Sequence, residues 1–398
     1  MSLYRRACNA CTASKRRCSK KVPTCARCAA KGTTCVYPST RRDDVPHQER
    51  SSDERDIMAP IVPIDDALLL DGDFYSVNST FSTSELLSLG VVEETNALVA
   101  APNTPWFMAL DSWNIEHPPL GQTPEYIGEE SLSAYVEMVQ DWLRRWVTEN
   151  NCPLIHRELY RMHMPRCIQE AFTLTTTYLN RSPANKTTVF RIIEERADEL
   201  VQQHVMQITD TTTLTLAEHL ARVQALLIFQ IIRLFDGDIR MRARGEAHSP
   251  ILASWNTLLW QAATTSLLLG DPSALVPGLN LSVTPWKAWC FIESIRRTWL
   301  TTSILQSVYT TLRDSISPCP GGVTCTFGNG LWEAGSEHEW ERRVVQGEST
   351  LFMPSLSIAN LLVEASVEDV DEFGHAIMLI THGAQRMDKW VAENRVLF

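Results

Sequence analysis

The stretch CNACTASKRRCSKKVPTCARCAAKGTTC, residues 8–35, decides how the amino-terminal part of this chain folds. It holds six of the eleven cysteines in 28 positions, with seven Lys or Arg and no Asp or Glu. The cysteines fall at Cys8, Cys11, Cys18, Cys25, Cys28 and Cys35. The spacing C-x2-C-x6-C occurs twice, offset by 17 residues, which predicts two matching half-sites facing each other. Zinc is held by four ligands in a tetrahedron, and a C-x2-C turn presents two thiolates to one ion. Two ions need eight ligands, and six thiolates supply them only if two are shared. Arithmetic and symmetry therefore point to a two-zinc cluster bridged by the equivalent Cys8 and Cys25. A three-disulfide knot and a set of reactive thiols are the alternatives. The chain begins MSLYRRAC, with no apolar run ahead of the cysteines, so it is read as intracellular, where clustered thiols bind metal more often than they pair.

Charge is divided unevenly along the chain. The net charge of −11 is the balance of 36 bases and 47 acids. Eleven of those bases, and no acid, lie in residues 1–42, leaving 25 bases against all 47 acids in the rest. A basic head on an acidic body suggests that the head meets a polyanion. Two Zn2+ with six thiolates carry a charge of −2, which the flanking bases more than offset. No membrane span is expected. The most apolar run, LLIFQIIRLF at 226–235, is short and broken by Gln230 and Arg233.

Residues 5–38, RRACNACTASKRRCSKKVPTCARCAAKGTTCVYP, resemble the DNA-binding domain of the fungal-type Zn(2)-C6 binuclear zinc cluster transcription factors. All six ligand positions match, as do Pro23 and the closing Val36, Tyr37 and Pro38. The resemblance implies two short helices, each followed by an extended strand, wrapped around two Zn2+ ions. It implies that Cys8, Cys11, Cys18 and Cys25 hold one ion, and Cys25, Cys28, Cys35 and Cys8 the other. It further implies insertion of the first helix's end into the major groove of double-stranded DNA at CGG-type sites. Lys15 falls where the family's base-contacting lysine sits, and a Lys ammonium can donate to guanine O6 and N7. Arg17, just before the third cysteine, is read as a phosphate contact, and Arg16 stands at a position that varies in the family. Arg5, Arg6, Lys20 and Lys21 are read as phosphate contacts, which supply affinity and register, or as charges that keep the head soluble. Arg27, Lys31, Arg41 and Arg42 join that group without a base assignment. Thr12 and Ser14 depart from the commonest pattern, where basic residues stand. Small residues there resemble the branch that includes aflatoxin-type regulators of secondary-metabolite gene clusters. The expected function is a transcription factor acting on RNA polymerase II promoters in the nucleus. The rival readings are a zinc-cluster protein-interaction module on a helical scaffold, or an unidentified enzyme body.

Beyond the head, residues 43–127 read as a largely disordered linker rich in polar residues and proline. No heptad run follows the cysteines, so a monomer, or a homodimer formed through the body, is expected rather than a coiled coil. Residues 61–75, IVPIDDALLLDGDFY, mix Asp65, Asp66, Asp71 and Asp73 with bulky apolar residues. That is the composition of an activation segment that folds against a coactivator. It is also compatible with a first helix of the body or a loop packed on it.

From residue 128 to 398 an all-α regulatory domain is expected. Leu132, Tyr135, Val136, Val139, Trp142, Leu143 and Trp146 form one stripe at helical spacing. Similar patterns recur at 187–207, 214–235, 251–269, 286–313 and 356–382. The segments WKAWCFIESIRRTWL (286–300) and LWEAGSEHEWERR (331–343) are similar to the middle homology region found downstream of fungal zinc clusters. Trp286, Trp289, Glu293, Arg296, Arg297 and Thr298 carry the first likeness; Leu331, Trp332, Glu333, Ala334 and Trp340 carry the second. Glu293 stands three and four residues before two arginines, which predicts an intrahelical ion pair or, if buried, a joint between helices. No Walker loop, G-x-S-x-G, H-E-x-x-H or dinucleotide fingerprint is present, so no enzyme is expected. His156 and His163, seven apart on a supposed helix, are read as structural or surface residues. Cys152, Cys167 and Cys290 are read as packed thiols.

Overall fold

The helix Leu216–Phe235 is apolar on nearly every side, and from Leu220 to Leu234 every residue is buried. A helix hydrophobic all round must be surrounded by others, and this one sits at the centre of the body. Thr215 starts it with a capping box: its hydroxyl accepts from the Glu218 amide while the Glu218 carboxylate takes the Thr215 amide.

The computed structural model describes residues 7–14, 16–21, 23–37, 105–119, 127–207, 214–268, 284–345 and 350–395. The chain divides into two compact units, Met1–Glu93 and Glu94–Phe398. The first contains α1 (Asn9–Ala13) and α2 (Ala26–Lys31). The second contains α3 (Glu129–Glu149), α4 (Arg166–Leu179), α5 (Lys186–Gln207), α6 (Leu216–Phe235), α7 (Ile239–Leu268) and α8 (Pro285–Asp314). Then come α9 (Glu337–Val345), a helical turn α10 (Leu361–Glu364), α11 (Glu372–His382) and α12 (Ala384–Arg395). Strands β1 (Thr324–Thr326) and β2 (Phe352–Pro354) pair antiparallel, with Cys325 opposite Met353. Among the described residues the body is thus helical with one two-stranded exception, and no helix is long and apolar enough to cross a membrane.

Helix α6 packs on α7, α4, α8, α5 and α3, and α8 packs on α7 and β1. Side chains from all of these form one continuous core. The stripe expected in 132–146 is buried on α3 at all seven positions. Several boundaries differ from expectation. Helix α7 begins at Ile239, ahead of the pattern expected from 251, and runs through Pro250. The single pattern at 356–382 breaks up, because Ser366 and Asp369 form a capping box and Asp371 caps α11. His156 and His163 lie in irregular backbone rather than on one helix; His156 is buried and His163 exposed.

Residues 105–119, assigned to the linker by sequence, pack on the body. Two 3-10 turns, Trp106–Met108 and Leu110–Trp113, bury Phe107 and Trp113 in its core. The expected activation segment at 61–75 lies outside the described residues.

Candidate metal centre and nucleic-acid interface

The 17-residue repeat of the sequence is a repeat in space. Cys8 and Cys25 each stand at a helix N-cap with nearly the same backbone, φ −68 and ψ 156 against φ −70 and ψ 148. The Thr12 amide donates to the Cys8 carbonyl at 3.0 Å, and its counterpart Ala29 donates to Cys25 at 3.0 Å. Arg16 donates to the Cys11 carbonyl at 3.1 Å, and its counterpart Thr33 to Cys28 at 3.0 Å. The halves also clasp each other. The Asn9 amide reaches the Val36 carbonyl at 2.8 Å, and the equivalent Ala26 amide reaches the Ser19 hydroxyl at 2.8 Å. Tyr37 adds a donor bond to the Lys21 carbonyl at 2.7 Å.

These frames bring all six sulfurs together. Cys8, Cys11, Cys18 and Cys25 form one group of four, and Cys8, Cys25, Cys28 and Cys35 a second, with the ligand atoms of each within 4.8 Å of one another. Cys8 and Cys25 belong to both. A tetrahedron with metal–sulfur bonds of about 2.3 Å has edges of about 3.8 Å. The sulfur separations are 3.8 Å for Cys8–Cys25, 3.7 Å for Cys8–Cys28, 3.7 Å for Cys11–Cys25 and 3.9 Å for Cys18–Cys8. A disulfide would need about 2.05 Å, and none of the six is disulfide-bonded. The donor set therefore fits two zinc ions sharing two sulfurs.

Backbone amides support the thiolate form. Lys20 N–H points at Cys18 Sγ (3.4 Å), Cys25 N–H at Cys35 Sγ (3.2 Å) and Cys28 N–H at Cys25 Sγ (3.4 Å). The Cys28 amide is the main reason the Cys25 thiol is pulled down to about 6. The Cys28 thiol is pushed up, chiefly by its contact with Cys25. Such outer bonds orient metal ligands and tune their basicity.

Around the cluster the surface is basic. Arg16, Arg17, Lys20, Lys21 and Lys31 are exposed, and Arg27 is half-buried. Lys20 takes a left-handed backbone, φ 55, as the chain turns after Cys18. Arg5, Arg6 and Lys15 lie outside the described residues. Sequence reasoning missed one feature: Arg27 Nη1 donates to the Ser14 hydroxyl at 2.7 Å, joining the two halves.

In the body, the two segments likened to the middle homology region pack on each other. Trp289 lies 6.1 Å from Trp332 and 5.6 Å from Trp340, ring centre to ring centre. Glu293 and Arg297 form the expected intrahelical pair, Nε to Oε1 at 3.2 Å, and both are buried. The pair is also a joint. Arg297 Nη2 donates to Asp371 at 2.6 Å and to the Thr326 carbonyl at 2.9 Å, while Glu293 accepts the Thr326 amide at 2.9 Å. Arg297 is sandwiched between Trp332 (4.1 Å) and Phe373 (4.6 Å). Arg296 turns the other way. It donates to the Ser112 and Thr324 carbonyls at 2.7 Å each and to Phe107 at 3.1 Å, which fixes residues 105–119.

Cys290 Sγ approaches His156 Nε2 at 3.7 Å, but the pair is not a nucleophile and its base. The Glu158 amide donates to His156 Nδ1 at 3.1 Å, so this bond assigns the ring proton to Nε2, facing the sulfur. Burial pulls the His156 imidazole down to about 3 and pushes the Cys290 thiol up. A cavity of about 220 Å³ is rimmed by Arg144 and Arg181, already held by Asp141 and Asp236.

Residues 6–44 match the fungal Zn(2)-Cys(6) binuclear cluster domain. The chain is 27% identical to "Transcription factor gsfR2" of Penicillium aethiopicum over 425 aligned positions, covering 99% of this chain and 96% of that protein. It is 60% identical over 38 residues to the "Geodin cluster transcription factor" of Aspergillus terreus, covering 10% of this chain and 17% of that protein. No solved structure matches it. With its doubled cysteine frame, its two sulfur tetrads and this match, the chain carries a fungal Zn(2)-Cys(6) binuclear cluster domain at its amino terminus, a domain that binds two zinc ions.

Proposed function

We propose that this protein is a nuclear, sequence-specific DNA-binding transcription factor, not an enzyme, that controls a secondary-metabolite gene cluster. The observation that carries the reading is the pair of sulfur tetrads sharing Cys8 and Cys25, set in a segment whose only charges are positive. Cys8, Cys11, Cys18 and Cys25 would hold one zinc, and Cys8, Cys25, Cys28 and Cys35 the other. The likeness of nearly the whole chain to a protein named as a transcription factor supports the same function, and the relative named for the geodin cluster supports the pathway class.

The ions supply the rigidity that so small a unit cannot obtain from an apolar core. That rigidity sets the segment after α1 against the duplex. Lys15 reads a guanine of a CGG-type triplet, and Arg5, Arg6, Arg16, Arg17, Lys20 and Lys21 hold the phosphates. The linker gives reach, the helical body governs activity at RNA polymerase II promoters through coactivators, and any homodimer forms through that body.

The test is titration of the zinc-loaded full chain with a duplex containing CGG triplets and with its scrambled counterpart. Five to seven phosphate contacts give a log–log salt slope of about −4 to −6. Lys15→Ala should cost about 1–3 kcal/mol on the CGG duplex and spare the scrambled one. Equal losses on both would remove Lys15 from base reading. Shallow salt dependence with no preference between duplexes would favour a protein partner for the head.

A further inference from the structure

We propose that Ser14 is a positioning residue that holds Arg27 as a phosphate clamp at the end of α1; this rests on the DNA-binding reading above. Helix α1 is NACTA, with no charged side chain of its own. Its C-cap is Ser14, whose hydroxyl donates to the Ala10 carbonyl at 2.8 Å. That bond spends the hydroxyl proton and turns the oxygen's lone pairs outward. Arg27 Nη1 fills one of them at 2.7 Å, reaching across from α2.

Arg27 therefore delivers to the end of the first helix a positive charge that the helix lacks. Its Nε and Nη2 make no other hydrogen bond among the described residues. Those two N–H groups form a planar fork that matches two phosphate oxygens. No acid in residues 1–42 competes for it. Because Ser14 already fixes the side chain, less rotamer freedom is lost on binding than for a free surface arginine.

The near-twofold repeat shows that the bridge is particular to one half. At the 17-residue offset Arg27 corresponds to Ala10, and Ser14 to Lys31. Ala10 has no side-chain donor, so the second half cannot make the reciprocal contact. An otherwise symmetrical scaffold thus gains a direction, and the clamp lies beside the segment that follows α1.

The experiment is equilibrium binding of the zinc-loaded full chain to CGG-containing and scrambled duplexes over a range of salt, with zinc per chain measured for every variant. Arg27→Ala should weaken both duplexes roughly tenfold, the loss of one charge-assisted hydrogen-bonded contact, and flatten the salt slope by about 1. Arg27→Lys should restore the slope and only part of the affinity, because it keeps the charge and loses the fork. Ser14→Ala should weaken binding roughly threefold without changing the slope, and should add nothing in the Arg27→Ala background. Should Arg27→Ala shed zinc, Arg27→Lys and Ser14→Ala carry the test. Unchanged affinity and slope in Arg27→Ala, a loss confined to the CGG duplex, or additive effects of the two alanine substitutions would overturn the clamp alone. A wild-type chain that binds neither duplex would overturn the functional reading and the clamp with it.

Discussion

Replacing Arg297 with Met tests the buried joint of the body while keeping side-chain length. Arg297 is 1% exposed and is shared by Glu293 (0%) and Asp371 (1%). Its removal leaves two carboxylates buried without their cation, and strips a hydrogen bond from the Thr326 carbonyl. Breaking a buried pair by removing one partner costs about 3–5 kcal/mol, a large share of the roughly 5–15 kcal/mol that holds a domain together. The control lies one residue away. Glu372 is paired with Arg145, but those side chains are 35% and 29% exposed, so Arg145→Ala should cost about 0–1 kcal/mol. The assay is denaturant unfolding followed by tryptophan fluorescence and far-ultraviolet circular dichroism. A pH series adds a signed check. Burial raises the Asp371 carboxyl against the opposing pull of Arg297. Without that pull the folded state binds a proton that the unfolded state releases, so the deficit of Arg297→Met should shrink as pH falls from 7 to 5. A cost for Arg297→Met within about 1 kcal/mol of the Arg145→Ala control would refute the reasoning.

Other predictions concern the metal and the histidines. Cys25→Ser removes a ligand from both sulfur tetrads and Cys11→Ser from one, so native mass spectrometry should find less zinc on Cys25→Ser. Equal retention would deny the bridging role. His248 is drawn down to about 4 by burial, with Arg233 and Arg244 adding to the effect and Asp198 at 3.3 Å not reversing it. Its folded form therefore binds fewer protons than its unfolded form between roughly pH 6.5 and pH 4, so stability is lost as pH falls through that window. His248→Gln should show a smaller drop in unfolding midpoint from pH 7 to pH 5 than the wild type, and an equal drop would exclude His248 as a source. Chelation should abolish DNA binding by the head while leaving the helical circular dichroism of the body in place.

The parts of this fold that were legible in sequence are those set by local spacing. The cysteine repeat needed only a count of residues, and the same offset of 17 reappears in backbone hydrogen bonds. The stripe from Leu132 to Trp146 was legible because helical periodicity lets one face meet one core. Helix α4 was missed because its run FTLTTTYL has the threonines of a strand; four of them return their hydroxyls to carbonyls one turn back. The break between 365 and 371 was missed because apolar spacing continues across it while polar caps end and restart the helix. Residues 105–119 looked like linker because their anchor, Arg296, stands more than 180 residues away in sequence. The Glu293–Arg297 pair was visible as i, i+4 spacing, but its third member, Asp371, was not. Ser14 looked like a missing base; only the fold shows that it receives one from Arg27.

The claim on which the functional account rests is that two metal ions share the sulfurs of Cys8 and Cys25. Native mass spectrometry of the full chain, purified under reducing conditions with zinc, measures this directly. The account predicts two zinc ions per polypeptide, with no mass deficit from disulfide formation. One ion or none, or a deficit of two protons per cysteine pair, would contradict it.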